Sequence, residues 1–263
     1  GITTGVPELD AVLLHGGWGR GEMSLGMGPA KAGKSFLLTS CAAAATLAGH
    51  NVLFVTLENA TAIQAARIDA YMSEIGISDF LSSPHAVQSA VEAAGKRSGV
   101  GALRIREFPT GTFRPRDLER LLDEYATKGL FFDLIVIDYL DIMAPDTPKD
   151  SEREASKDIY TRCRGIVGAY QGPRGKAALL SATQTNREGA KAATAQMTHV
   201  AEDFNRVRIA DLVISINRTE DERNVGKARF YLAASRNQRD GITVFVKQDL
   251  DRGKAVAAVE RVE

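Results

Sequence analysis

The chain has 263 residues, 44% hydrophobic and 25% charged, and its 33 Lys and Arg are balanced by 33 Asp and Glu. A formal net charge of zero excludes a global field that would draw it onto nucleic acid or an anionic membrane, so any nucleic-acid binding must come from local patches. No apolar run reaches the roughly 20 residues that a membrane-spanning helix needs, and Cys41 and Cys163 lie far apart, lack metal-ligand spacing and suit a reducing compartment.

Residues 2–10, followed by Gly16, Gly17, Gly19 and Gly21, predict a short turn-rich lead-in. Residues 22–27 predict a strand. Gly28-Pro29-Ala30-Lys31-Ala32-Gly33-Lys34-Ser35 comes next and fits G-x-x-x-x-G-K-[ST] at every fixed position. Residues 35–45 then predict a buried, alanine-rich helix, which Gly49 ends. A strand, a glycine loop and a helix N-terminus in series make an anion site, because loop N–H groups point inward and the helix dipole adds positive potential. Gly28 and Gly33 permit backbone angles that a Cβ opposes. Lys34 can set its ammonium on β- and γ-phosphates, and the Ser35 hydroxyl can ligate Mg²⁺. Residues Gly28 to Phe36 are therefore the candidate ATP-binding segment.

Residues 52–57 form a continuous apolar run of strand length, as strands buried on both faces of a parallel sheet require. Residues 60–76 predict an amphipathic helix with Ile63, Ala66, Ala70 and Ile75 on its apolar face. A second helix is expected over 85–97 and a strand over 103–108. Pro115 starts a further helix, Gly129 ends it, and Leu118, Leu121, Leu122 and Tyr125 form its buried stripe. Residues 133–138 predict a second buried strand, 145–153 a loop, and the following residues to about Tyr170 a long helix. Strands are expected at 177–182 and 212–216, with a mobile loop over 185–199 between them. Residues 230–234 and 242–246 flank a short polar tip and predict a hairpin. A last strand is expected from Lys254. Strands alternate with helices to about residue 217, and strands alone follow. The expected fold is α/β: a mostly parallel central sheet flanked by helices, extended by antiparallel strands at its carboxyl end, with residues 1–263 as one domain.

Asp138 ends an apolar strand on the edge where open α/β sheets bind ligands. Beside Ser35 it can hold the Mg²⁺ water shell; otherwise it caps a turn. Asp141 is a second candidate, set further into the loop. Glu58 follows the second apolar strand, where it either orients and deprotonates a water or serves the next helix N-terminus. Gln184 and Asn186 follow the strand at 177–182 and can sense a γ-phosphate by hydrogen bonding. Arg236 and Arg239 occupy the hairpin tip, where a guanidinium can either enter a neighbouring subunit's phosphate site or remain a solvated turn residue.

Taken together, these segments resemble the ATPase domain of DnaB-type replicative helicases, within the RecA-like fold. The resemblance rests on Thr4-Gly5-Val6-Pro7-Glu8-Leu9-Asp10, Val55-Thr56-Leu57-Glu58, the segment from Asp133 to Leu140, the segment from Leu180 to Arg187, Ala210-Asp211-Leu212-Val213-Ile214 and Ala234-Ser235-Arg236-Asn237. It implies that Glu58 is the catalytic base, Gln184 the sensor and Arg236 the finger acting in trans. It also implies a hexameric ring with ATP between subunits, DNA-contacting loops near 145–155 and 185–204, and dealings with other replication proteins. Where family members often carry a lysine, this chain has Ala234, and Arg239 can substitute for it. The expectation is an ATP- and Mg²⁺-dependent motor on single-stranded DNA, of phage or mobile-element type, in the cytoplasm or on the nucleoid and not in a membrane. Its rivals are a RecA- or KaiC-like regulatory or recombination ATPase, and a non-catalytic scaffold that keeps the nucleotide site for assembly.

Overall fold

The apolar runs pair into a nine-stranded sheet of order β3-β2-β4-β5-β1-β6-β7-β8-β9. The structure, a computed structural model, describes residues 1–185 and 204–263. The strands are β1 (Met23–Gly28), β2 (Val52–Thr56), β3 (Leu103–Glu107), β4 (Leu134–Asp138), β5 (Ala178–Gln184), β6 (Leu212–Asn217), β7 (Lys227–Ser235), β8 (Thr243–Asp249) and β9 (Lys254–Val262). β3 through β6 in that spatial order pair in parallel, and β7, β8 and β9 add antiparallel neighbours. Every residue of β1, β2, β4 and β6 is buried, as expected of strands covered on both faces.

Alternation along each strand feeds two cores. Ile135 and Ile137 of β4 join Met23, Leu25 and Met27 on one face, under α5 (Pro115–Thr127) and α6 (Glu152–Ala169). Leu134 and Val136 point to the other face, against Leu37, Leu38 and Cys41 of α2 (Lys34–Leu47). The alanines of α2 bring its axis close to the sheet, and the sheet answers with Gly26. A Cβ there would lie 3.0 Å from Leu37 Cδ2.

Four details depart from the expectations. The lead-in contains a helix, α1 (Pro7–Val12), held by Asp10, whose carboxylate accepts from the Thr4 N–H at 2.8 Å. Helix α3 (Thr61–Ser73) buries Gln64, Ile68 and Ala70, whereas Ile63 is 47% exposed. Its inward face is therefore rotated from the apolar stripe, because Gln64 has a polar partner in the interior. β5 runs to Gln184, which makes that residue part of the strand. A short helix, Glu220–Asn224, stands between β6 and β7, with Thr219 and Glu222 forming a reciprocal cap. Among the described residues the remaining α-helices are α4 (Pro84–Gly95) and Phe204–Ile209.

Parallel pairing aligns the strand ends that matter. Gly28 is level with Gln184, and Thr56 with Asp138. The carboxyl edge of β1, β2, β4 and β5 is one rim, and the glycine loop leaves from its middle.

Candidate nucleotide site

The loop from β1 to α2 takes its shape from glycine at two points. Gly33 precedes α2 with φ +98°, a left-handed conformation that a Cβ strains. At Gly28 a Cβ would sit 3.1 Å from both Ala32 Cβ and the Ile216 carbonyl oxygen. Lys34 opens the helix and turns back over the loop, its ammonium donating to the Gly28 carbonyl at 3.0 Å and the Pro29 carbonyl at 2.8 Å. Burial lowers the Lys34 pKa, and the carboxylates of Glu58, Asp141 and Asp138 oppose that shift. A cleft of about 480 Å³ opens over this rim, walled by Lys34, Ser35, Phe36, Glu58, Asp138 and Gln184 among others. Ala30, Lys31 and Gly33 line it too; Gly28 and Pro29 contribute the carbonyls, and Ala32 is buried beneath.

Asp138 is fully buried at the end of β4. The Ser35 hydroxyl donates to its Oδ1 at 3.2 Å, and Gln64 Nε2 donates to its Oδ2 at 2.6 Å. Burial pushes the Asp138 carboxyl up, against the hydrogen bonds from Gln64 and Ser35. Asp141, the second acidic candidate, accepts from the Thr183 hydroxyl at 3.0 Å and from the Tyr160 hydroxyl, and so ties the segment after β4 to β5 and α6.

Glu58 lies on the exposed wall of the cleft, two residues past β2. Its alternative role at the next helix belongs to a different residue. The first N–H of α3, from Thr61, donates to Glu107 Oε2 at 2.7 Å, and Glu107 ends the neighbouring strand β3. The Thr56 hydroxyl donates to the Asn59 carbonyl at 2.6 Å and so fixes the turn that carries Glu58.

Three wall or support residues escaped the sequence reading: Gln64, Arg67 and Arg218. Arg67 lines the cleft with its guanidinium 4.6 Å above the Phe36 ring. Arg218 leaves the end of β6, on the rim that carries the glycine loop. It donates to the Lys31 carbonyl and, at 3.3 Å, to Gln248 Oε1. A cation directly after an apolar strand was the available signal for Arg218. For Gln64 there was none, since a glutamine in a helix reads as surface.

Arg236 and Arg239 are not brought to this cleft. Ser235 pairs with Leu212 at the start of β6, so the β7–β8 tip lies on the sheet edge opposite the glycine loop. Arg236 is 48% exposed there, donates to the Ala210 carbonyl at 3.1 Å, and stands 3.7 Å from the Asp211 carboxylate. Asp211 is held by Arg164 through two contacts, of 2.6 and 2.9 Å. In the expected loop at 145–155, Asp146 pairs with Arg162 at 2.6 Å and Lys149 with Asp158 at 3.6 Å. Of the loop expected at 185–204, residues 186–203, with Asn186, Arg187 and Lys191, lie outside the described residues.

Among the described residues no helix is long and apolar enough to cross a membrane.

Known proteins share this fold. The fold is that of a solved ATPase domain, with a TM-score of 0.80 and 15% identity, covering 98% of this chain and 91% of that one. It is equally that of a DnaB-like replicative helicase studied for its interactions with primase, with a TM-score of 0.80 and 16% identity over 96% of this chain and 60% of that one. In sequence, the chain is 28% identical over 218 residues to the DnaB-like replicative helicase of Enterobacteria phage T4; the match covers 80% of this chain and 44% of that protein. The chain thus spans less than half the length of that relative. The AAA domain model matches residues 4–173, from the lead-in through the glycine loop, Glu58 and Asp138, and the chain belongs to that family.

Proposed function

We propose that residues 1–263 form one RecA-like motor domain that binds and hydrolyses ATP and, within a ring, moves on single-stranded DNA as a replicative-type helicase. The observation that carries this reading is the meeting of Lys34, Ser35, Asp138, Glu58 and Gln184 around one cleft on the carboxyl rim of the sheet. Lys34 meets the phosphates: its ammonium now rests on two loop carbonyls, weak partners that a phosphate oxygen outcompetes. Glu58, free of the helix cap, orients and deprotonates the attacking water. Gln184 senses the terminal phosphate through its amide.

The residues also fit Mg²⁺. Ser35 and Asp138 already share a hydrogen bond, and among the described residues no group of three or more His, Cys, Asp or Glu could cage a metal. That sparse donor set suits an ion that keeps its waters and is shared with substrate phosphates. When bound, Mg²⁺ supplies neutralising charge to the phosphates. Asp138 and Ser35 would hold it.

Arg236 sits on the far edge of its own sheet and suits a neighbour's nucleotide better than its own, which supports a ring with sites between subunits. The names of the relatives support the DNA motor and contact with a primase. The test is steady-state ATP hydrolysis with and without single-stranded DNA, on protein of measured assembly state, paired with an unwinding assay. DNA-stimulated turnover with unwinding supports the motor. Turnover indifferent to DNA points to a regulatory ATPase, and binding without turnover to a scaffold.

A further inference from the structure

Gln64 has no surface exposure, although it lies on a helix whose other inward residues are apolar. A buried carboxamide is costly unless its donors and acceptor are used. Here both ends are engaged. Nε2 donates to Asp138 Oδ2 at 2.6 Å and lies 3.4 Å from Thr56 Oγ1. Oε1 accepts from Arg67 Nη1 at 3.2 Å. The orientation follows from charge, because the flipped amide would set its oxygen against a carboxylate and its NH₂ against a guanidinium. Each partner leads into the cleft. Asp138 also holds Ser35, Thr56 fixes the turn of Glu58, and Arg67 forms part of the wall above Phe36. A leucine or methionine would fill the same volume without these bonds, so packing alone does not account for a glutamine.

We propose that Gln64 is a positioning residue of the nucleotide site: it holds one oxygen of Asp138 so that the other stays beside Ser35, and it sets Arg67 as a cation of the same subunit facing the phosphates. The proposal rests on the reading that the cleft takes a magnesium nucleotide. Gln64 touches no substrate; its effect passes through Asp138 and Arg67.

The test uses the parent chain, Gln64→Met, which keeps the volume, and Arg67→Met at the half-buried wall. A fluorescent ADP analogue is titrated in EDTA and in Mg²⁺, followed by ATP hydrolysis and thermal melting. In Gln64→Met the affinity in EDTA should fall, but by less than in Arg67→Met, because Arg67 keeps its charge and loses only the partner that sets it. Half-saturating Mg²⁺ should rise about tenfold, the scale of one lost hydrogen bond to a charged group, and kcat should fall more than KM changes. Arg67→Met should weaken nucleotide binding in both media. A purely structural glutamine would lower Tm and leave the Mg²⁺ dependence unmoved; that result in a folded Gln64→Met overturns the proposal. If Gln64→Met does not fold, parental nucleotide affinity in Arg67→Met overturns it. A parent that binds no nucleotide in either medium defeats the reading of the cleft itself, and the proposal falls with it. Parental binding with an indifferent variant defeats the proposal alone.

Discussion

Two glutamates compete for one explanation, and a matched pair of substitutions separates them. Glu58 stands exposed on the cleft wall, and among the described residues no hydrogen bond ties it to α3. Glu107, on the adjacent strand, accepts the first N–H of that helix at 2.7 Å, a bond that holds its carboxyl below the usual range. Glu58→Gln preserves shape and removes the base. Its Tm should stay within about 2 °C of the parent, as for an exposed side chain outside the packing. Its kcat should fall by about 10²- to 10⁴-fold, the usual worth of a positioned general base. Nucleotide affinity should persist, since Lys34 and the loop are untouched. Glu107→Gln should do the reverse: a lower Tm, with turnover near the parent's. The assays are a coupled phosphate-release measurement and a melt followed by circular dichroism. If Glu58→Gln turns over within twofold of the parent, or if it and not Glu107→Gln lowers Tm, the assignment of the two carboxylates is wrong.

Lys34→Ala should abolish turnover and leave a cooperative melt: the ammonium only bridges two loop carbonyls, and the Gly28 oxygen keeps the Thr185 N–H at 3.2 Å; hydrolysis at the parent rate by folded variant would refute this. Arg236→Ala should lower kcat by about 10³-fold or more if the guanidinium acts in trans, and mixing it with Lys34→Ala subunits should restore part of the activity. Mixed assemblies without any recovery would move the role to Arg239, which is exposed on the same tip. Burial holds the His50 imidazole below its ordinary pKa, against the pull of Asp133. The unfolded chain therefore takes up this proton first, so stability is full above the ordinary imidazole range and falls as pH drops through it. Between about pH 7.5 and about pH 5.5 the decline in Tm should be shallower for His50→Gln, and an unchanged slope would remove His50 from the account.

What the sequence disclosed about this site follows from how local each signal is. The glycine loop was legible because one backbone turn, one helix start and one lysine are written within eight consecutive residues. Asp138 was legible because an apolar run ends on it, and in a parallel sheet that end faces a rim. The strand order was not legible: β1 sits between β5 and β6, and nothing local announces which pair a strand will separate. The role of Gln64 was not legible either, for a physical reason. Periodicity places the apolar stripe of this helix on Ile63, Ala66, Ala70 and Ile75 and says nothing for a glutamine beside it; Ala70 is buried as expected, but α3 ends at Ser73, before Ile75. The helix turned instead to satisfy a hydrogen bond to Asp138, 74 residues away, and left Ile63 exposed. A similar long-range bond, spanning 187 residues, brings Arg218 to the glycine loop. Where a helix shows an apolar residue to water and buries an amide, the deviation marks a polar demand from outside the helix. In this chain that demand comes from the carboxylate beside Ser35. The misread face of α3 and the candidate metal site therefore have one cause, and restoring the apolar pattern with Gln64→Met should favour packing at the expense of the magnesium response.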